Sequence, residues 1–127
     1  MDDQVPTLDA SLRPEMLAAA AVATDRFYDE VPEIAARYGE RGRAYAAHDH
    51  AYLFAWAVDA AEFDTPDLFE RNAIWLHSLL VDRGFPHAWF VRTMELVQIV
   101  AVEQGLLTAF DADRIVGSAI SRLPVAP

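Results

Sequence analysis

Residues 65–105 decide the fold, and they read TPDLFERNAIWLHSLLVDRGFPHAWFVRTMELVQIVAVEQG. Thr65 can cap a first helix, and the proline that follows it suits the first helical position, where a missing N–H costs nothing. Gly84 can end this helix in the left-handed conformation, and Pro86 begins the next one. The second helix, residues 87–104, is the most apolar in the chain. We therefore expect it to be the central helix of the fold.

Helical spacing of apolar residues continues on both sides of this stretch. The predicted segments are about 11–29 with Ser11 as its cap, 33–38 between a break at Pro32 and a stop at Gly39, 41–63, and 112–123 with Asp111 as its cap. No stretch alternates with period two, and no Asn-Gly or Asp-Gly hairpin turn is present. The pattern predicts an all-α single domain of about six helices over residues 11–127. The polar, acidic residues 1–10 are predicted to form a flexible N-terminal arm.

Composition and charge narrow the possible functions. Of the 127 residues, 54% are hydrophobic, and twenty acids against ten bases give a formal charge of −10. Such a surface repels phosphate, so we expect neither nucleic acid nor an anionic membrane as a partner. The absence of cysteine excludes disulfides, thiolate metal sites and a cysteine nucleophile. The first residues do not resemble a signal peptide, and no apolar run reaches the ~18 residues of a membrane span, so the expected location is the cytoplasm.

The sequence contains none of the common motifs for catalysis. It has no phosphate-binding glycine loop, no Glu-x-x-His pair for a diiron bundle and no nucleophile elbow around a serine. His48-Asp49-His50 is similar to a metal motif, but residues two apart on a helix point about 200° apart. We favour two partly exposed histidines beside a buried or capping Asp49. We therefore predict no metal site, no catalytic residue and no enzymatic activity.

Two further sets of side chains are open to more than one interpretation. Glu70, Ile74, His77 and Val81 form a second row beside the core row of their helix, so they could border a pocket or contact another protein. An ordinary histidine at the edge of the core is the simpler alternative.

Six aromatic residues could line a cavity for a flat hydrophobic ligand, although an aromatic core explains them equally well. These residues are Tyr28, Tyr45, Trp56, Trp75, Trp89 and Phe90.

Two short motifs resemble the truncated haemoglobins. Asp25-Arg26-Phe27-Tyr28 is similar to the second-helix segment of that family, where a Phe-Tyr pair faces the distal haem pocket. Residues 83–90, RGFPHAWF, are similar to the joint after the haem-ligating helix. The resemblance implies a globin-like fold in which Leu80 occupies the position of the proximal ligand. Because leucine offers no lone pair to iron, haem binding would require His77, nearly one turn earlier.

The better likeness is to the non-haem, globin-like sensory domains of bacterial signalling proteins, such as the N-terminal domains of stressosome subunits. Similar helical modules precede cobalamin-binding or other signalling domains. The matching positions are Asp49, Leu53-Phe54-x-Trp56, Pro66-Asp67-Leu68-Phe69, Trp75, Leu79-Leu80, Arg83-Gly84 and Pro86. This resemblance implies a sensory role that uses no haem.

We therefore predict a globin-like bundle that acts as a non-catalytic regulatory or sensory module without a cofactor. It would act as a homodimer or through a signalling partner, with the row Glu70, Ile74, His77 and Val81 as the contact surface. The candidate pocket for a small hydrophobic ligand is formed by His77, Tyr28, Phe27, Trp75 and Phe90.

Two alternatives remain at the level of the sequence. The first is a haem-binding, gas-responsive globin that uses His77 as the iron ligand and Tyr28 as a distal hydrogen-bond donor. The second is a small helical enzyme or carrier for a hydrophobic molecule that uses acids such as Asp49 near the aromatic core. Desolvation should raise the pKa of such an acid.

Overall fold

The computed structural model describes residues 12–125, and these residues are helical with no strand among them. The helices are α1 (Pro14–Glu30), α2 (Pro32–Phe63), α3 (Pro66–Asp82), α4 (His87–Glu103) and a C-terminal helix, α5, made of Ala109–Asp111, a π-helical Ala112–Gly117 and Ser118–Ser121. The all-α prediction is confirmed over this range, which is compatible with a single domain. The predicted arm and the predicted cap Ser11 lie outside the described residues.

The helix count is five because two predicted segments join into one kinked helix. Residues 33–38 and 41–63 both belong to α2, and the junction is Gly39, whose φ of 64° and ψ of −157° are not helical. Only glycine adopts this part of the backbone map readily, so the kink is encoded by this residue. The kink directs the first two turns of α2 away from the line of the rest of the helix.

The predicted ends of α3 and α4 lie within one residue of those observed, whereas α1 and the C-terminal helix begin at Pro14 and Ala109 rather than near residues 11 and 112. Proline begins α1, α2 and α3, a position that suits a residue without an N–H. Thr65 precedes α3, but within the described structure its side chain accepts no capping hydrogen bond. Asp111 does not cap the last helix; Thr108 does, because its side chain accepts a hydrogen bond from the N–H of Asp111 at 3.1 Å. Pro86 is the residue before α4 rather than its first residue.

Helix α4 lies at the centre of the fold, as its composition predicts. It contacts α1, α2, α3 and the C-terminal helix. One stripe of wholly buried side chains follows three- and four-residue intervals along α4: Phe90, Met94, Val97 and Val100. Two ion pairs also join α4 to α1, since Arg92 binds Glu30 at 2.6 and 2.8 Å and Arg26 binds Glu103 at 2.6 Å.

The surface row predicted on α3 is wrong as an open contact surface. His77 is only 4% exposed, and Ile74 packs partly against the core. The reason is geometric: His77 follows the buried Ala73 by four residues, which places it about 40° away around the helix. Trp75 follows Ala73 by two residues, about 200° away, and is 59% exposed. Glu70 is half-buried and pairs with Arg122 at 3.3 Å.

No helix within residues 12–125 combines the length and the apolar character that crossing a membrane requires.

Candidate ligand cavity

A cavity of about 340 Å³ lies between α1, the two halves of α2, the turn from α3 to α4, and α4. Aromatic and aliphatic side chains make up most of its wall, and a few polar groups are placed among them. The lining residues are Phe27, Tyr28, Ile34, Tyr38, Gly42, Tyr45, Ala46, Asp49, His50, Leu53, Leu76, Leu80, Arg83, Phe85, Phe90 and Thr93. Both the volume and this composition are typical of small-molecule sites.

The turn after α3 places an aromatic ring in the wall of the cavity. Gly84 has a φ of 89°, and the N–H groups of Gly84 and Phe85 bond the carbonyls of Val81 and Leu80 at 2.9 and 3.0 Å. This pair of bonds is the Schellman arrangement, which reverses the chain sharply at a helix end. Phe85 thereby lies between two aromatic neighbours, with ring centroids 6.4 Å from Phe27 and 6.2 Å from Tyr38.

The first turns of α2 cover the cavity from one side. Ile34 and Tyr38 contribute lining side chains from this segment, which ends at the kink of Gly39. Arg37 fastens the segment to the α3–α4 turn, because its Nη2 donates to the carbonyl of Gly84 at 2.9 Å. The covering segment is thus joined to the rest of α2 through Gly39, and to the turn through Arg37 and the ring contact of Tyr38 with Phe85.

His50 is the most deeply buried polar group in the wall. Its imidazole is 1% exposed and meets the ring of Phe27 edge-on at 6.1 Å. Nδ1 lies 2.7 Å from Oγ1 of Thr24, and that hydroxyl donates to the carbonyl of Ala20 at 2.7 Å. Burial lowers the pKa of His50 to about 4, so the ring is neutral near pH 7.

Two further polar groups of the wall have shifted pKa values. Desolvation raises the pKa of Asp49, and the hydrogen bond from His48 at 3.1 Å opposes that shift. This is the direction expected for an acid beside an aromatic core. Burial likewise raises the pKa of Tyr28, against the attraction of the Arg43 guanidinium, which lies 4.5 Å from the centre of the phenol ring. Both groups therefore hold their protons more firmly than they would in water.

Three residues of the predicted pocket line the cavity, and two do not. Phe27, Tyr28 and Phe90 contribute to the wall. His77 lies behind Phe90, with ring centroids 5.3 Å apart, and is bound instead to a second imidazole: its Nε2 is 2.8 Å from Nδ1 of His87. Burial, with a smaller effect of His87, lowers the pKa of His77.

Trp75 belongs to a different feature, a groove that adjoins the cavity, since Asp49 and Leu76 line both. The indole borders this groove together with Tyr52, Trp56 and Leu79. Of the wider aromatic set, Tyr45 lines the cavity, whereas Trp89 stands behind the wall and packs edge-on against Phe85 at 5.7 Å. The predicted site thus divides between the cavity and the adjoining groove.

The sequence-based interpretation of His48-Asp49-His50 is wrong for His50. That histidine precedes Leu53, Phe54 and Ala57 by three, four and seven residues, and all three are fully buried. The same spacing that predicts the apolar face of α2 therefore places His50 on it. The rings of His48 and His50 do point apart, His48 towards Tyr52 at 4.9 Å. No cluster of three or more potential metal ligands occurs within residues 12–125.

Comparison of the chain with protein-family models, with curated proteins and with solved structures gives no match.

Proposed function

We propose that this protein is a non-catalytic sensory or regulatory module that binds a small hydrophobic molecule in the cavity beside His50. The observation that carries the proposal is the cavity itself. A void of this size is unusual in a small domain, because protein interiors normally pack with few voids larger than a water molecule. A void of about 340 Å³ lined by six aromatic rings suits a flat ring compound.

The arrangement of the wall favours binding over catalysis. The chain has neither cysteine nor lysine, and no serine is among the lining residues. The buried imidazole directs Nδ1 at a threonine hydroxyl that is already bonded to Ala20. The pKa of this imidazole is about 4, well below the value that suits a general base near pH 7. The wall instead offers apolar surface and a few fixed polar atoms, which is the pattern of a recognition site.

The covering segment provides a physical route from binding to response. Ile34 and Tyr38 touch the cavity from the short part of α2 that ends at Gly39. A ligand that contacts these two side chains interacts differently with open and closed positions of the segment, and such a difference is what shifts a conformational equilibrium. The hydrogen bond from Arg37 to the carbonyl of Gly84 would be present when the segment is closed and absent when it is open. The outer surface of the protein would therefore differ between the two positions.

We further infer that the fold is globin-like and that the module belongs to bacterial signalling. What supports this is the placement of the residues that carry the resemblance: Phe27, Tyr28 and Leu80 all line the same cavity. In a globin-like arrangement, Phe27 and Tyr28 would face Leu80 across the pocket. We predict that the module acts as a homodimer or through a signalling partner. Light scattering with and without ligand measures whether it forms a homodimer.

The proposal is tested with N-phenyl-1-naphthylamine, a neutral flat compound that fluoresces strongly in apolar surroundings. Titration of the wild type should give saturable fluorescence with one site per chain. Ala46→Phe places a ring into the cavity, since Ala46 is part of its wall, and should weaken binding at least tenfold. Ala35→Phe is the matched control, because Ala35 is exposed on the covering segment, and it should bind as the wild type does.

Thermal unfolding of both variants shows whether they remain folded, so that lost binding can be assigned to the filled cavity. Equal binding by the wild type and Ala46→Phe would contradict the proposal, as would the absence of saturable binding by the wild type.

A further inference from the structure

The hydrogen bonds around His50 fix which of its nitrogens carries the proton. Oγ1 of Thr24 lies 2.7 Å from the carbonyl oxygen of Ala20 and 2.7 Å from Nδ1 of His50. A hydroxyl has one proton, so Thr24 can donate to one of these two neighbours only. The carbonyl oxygen of Ala20 cannot donate. Thr24 therefore donates to Ala20 and accepts from His50, which places the imidazole proton on Nδ1.

The opposite assignment is unfavourable. If Thr24 donated to Nδ1, two oxygen atoms would face each other at 2.7 Å with no proton between them. The tautomer with the proton on Nδ1 satisfies both short contacts.

Nε2 of His50 is therefore a hydrogen-bond acceptor at the cavity. The ring lines the cavity, and because Nδ1 is directed at α1, Nε2 is the nitrogen left for a ligand. A second lining group, the carboxyl of Asp49, also offers acceptor oxygens. The lining guanidinium, that of Arg83, lies in the exposed turn and donates to the carbonyl of Leu79 at 3.2 Å. His50 and Asp49 thus offer hydrogen-bond acceptors in the wall, beside the hydroxyl groups of Tyr28, Tyr38, Tyr45 and Thr93.

We propose that the ligand is a neutral, flat ring compound whose rim carries a hydroxyl or N–H group, which donates to Nε2 of His50. This inference rests on the proposed function, because it names the class of molecule that the cavity would hold. A carboxylate or ether oxygen of the same shape is disfavoured at this position, because it would direct a lone pair at the lone pair of Nε2. The formal charge of −10 further disfavours anions.

Indole and benzofuran test the proposal on the wild type. The two molecules have the same bicyclic shape, but indole has an N–H where benzofuran has an ether oxygen. We expect indole to bind about tenfold more tightly, which corresponds to about 1.4 kcal/mol. Calorimetry or displacement of N-phenyl-1-naphthylamine measures both affinities. Equal affinities, or no binding of indole by a protein that does bind N-phenyl-1-naphthylamine, would overturn the inference and leave the proposed function standing.

Thr24→Val should change the preference without touching the cavity wall. Valine has nearly the shape of threonine but cannot accept the proton of Nδ1, so the imidazole would favour the tautomer with its proton on Nε2. The cavity would then present a donor, and benzofuran should bind at least as tightly as indole. Thr93→Val is the matched control, because Thr93 lines the cavity and is not a hydrogen-bond partner of His50 within the described structure. It should retain the preference for indole.

A measurement on the unliganded wild type checks the tautomer directly, and it does not depend on whether Thr24→Val folds. Two-bond ¹⁵N–¹H correlation spectra distinguish a protonated from an unprotonated imidazole nitrogen. We expect Nδ1 of His50 to be protonated and Nε2 to be unprotonated near pH 7, and the reverse pattern would overturn the inference. If neither indole nor N-phenyl-1-naphthylamine binds, the proposed function itself fails, and this inference fails with it.

Discussion

At the scale of single residues, the chemistry of this protein depends on how a few polar side chains are held inside an apolar wall. His50 is neutral because burial penalises its charged form, and Thr24 fixes its tautomer. Desolvation also disfavours the charged form of Asp49. Because that form is an anion, the pKa of Asp49 is raised, whereas the pKa of His50 is lowered. Neither shift needs a nearby opposite charge. Both follow from the position of these residues on the apolar side of α2.

The depressed pKa of His50 predicts a dependence of stability on pH. The pKa of His50 is about 4 in the folded protein, against 6.5 for a free histidine. Between these values the unfolded chain binds the proton and the folded protein does not, so stability falls as the pH drops from about 6.5 to about 4. The full effect is about 3 kcal/mol. Denaturant unfolding at pH 7 and pH 4.5 measures it.

The control for this experiment is His50→Gln, which keeps a polar side chain and removes the titration. The loss of stability between the two pH values should be smaller in this variant. His77 contributes with the same sign as His50 and Asp49 with the opposite sign, but both groups are present in both proteins. Their contributions therefore cancel in the comparison. An unchanged pH dependence in His50→Gln would contradict the account of His50.

At the scale of the helices, prolines, glycines and one threonine determine where each helix begins and ends. Gly39 and Gly84, with φ values of 64° and 89°, produce the kink and the turn that together bound the cavity. The sequence predicts both breaks, because glycine is the residue that adopts positive φ at little cost. It does not predict which neighbouring hydroxyl caps a helix, since that choice depends on the rotamer that the folded chain imposes.

Two threonines at helix starts allow a matched test of capping. Thr108 accepts a hydrogen bond from the backbone of Asp111, whereas Thr65 accepts none from α3. Thr108→Ala should therefore lower the free energy of unfolding by about 1 kcal/mol, the typical loss for a capping residue. Thr65→Ala should change it by less than about half of that. Equal losses in the two variants, measured by chemical denaturation, would show that the caps are misassigned.

At the scale of the whole molecule, the stability of the fold depends on the apolar stripe of α4. Phe90 is fully buried and forms part of both the core and the cavity wall. Phe90→Ala should cost about 3–5 kcal/mol, from lost burial and the space left behind. Phe63→Ala is the control, because Phe63 is 68% exposed at the end of α2 and should change stability by little. A thermal melt of Phe90→Ala that matches the wild type would mean that α4 is misplaced.

The positions of His77 and Leu80 in the fold make haem an unsuitable ligand for the wild type. His77 lies behind Phe90 and is bound to His87, while Leu80 contributes a leucine side chain to the cavity wall. Titration with hemin should therefore give only weak absorbance changes, unaffected by His77→Ala. Leu80→His would place an imidazole in the wall and should create binding if the pocket admits a porphyrin. A tight wild-type complex that His77→Ala abolishes would contradict this expectation.

Much of the fold and about half of the candidate site can be predicted from the sequence. Helical spacing predicts the central helix α4, which carries Phe90, and the face of α1 that carries Phe27 and Tyr28. It does so because periodicity indicates which residues of a helix share a side. It misplaces His77, since a residue about 40° from Ala73 can lie either at the edge of the core or within it. That choice depends on how closely α4 approaches, and a single sequence does not specify interhelical distance.

The cavity shows a second limit of sequence reasoning. An aromatic set predicts equally well a filled core or an open pocket, because ring count does not determine how the rings pack. Tyr38, next to the kink at Gly39, and Phe85, next to the turn at Gly84, both line the space beside His50. Thr24 has no sequence signature as a partner of His50, since 26 residues separate them. Contacts of this kind appear only when the helices are assembled.

The central claim is that a small aromatic molecule occupies the cavity and not the groove beside Trp75. The most direct test is to measure intermolecular nuclear Overhauser effects between N-phenyl-1-naphthylamine and the methyl groups of the wild type. The account predicts contacts to Leu53 and Leu80, which line only the cavity, and none to Leu79, which lines only the groove. Contacts to Leu79 without contacts to Leu53 and Leu80 would contradict it.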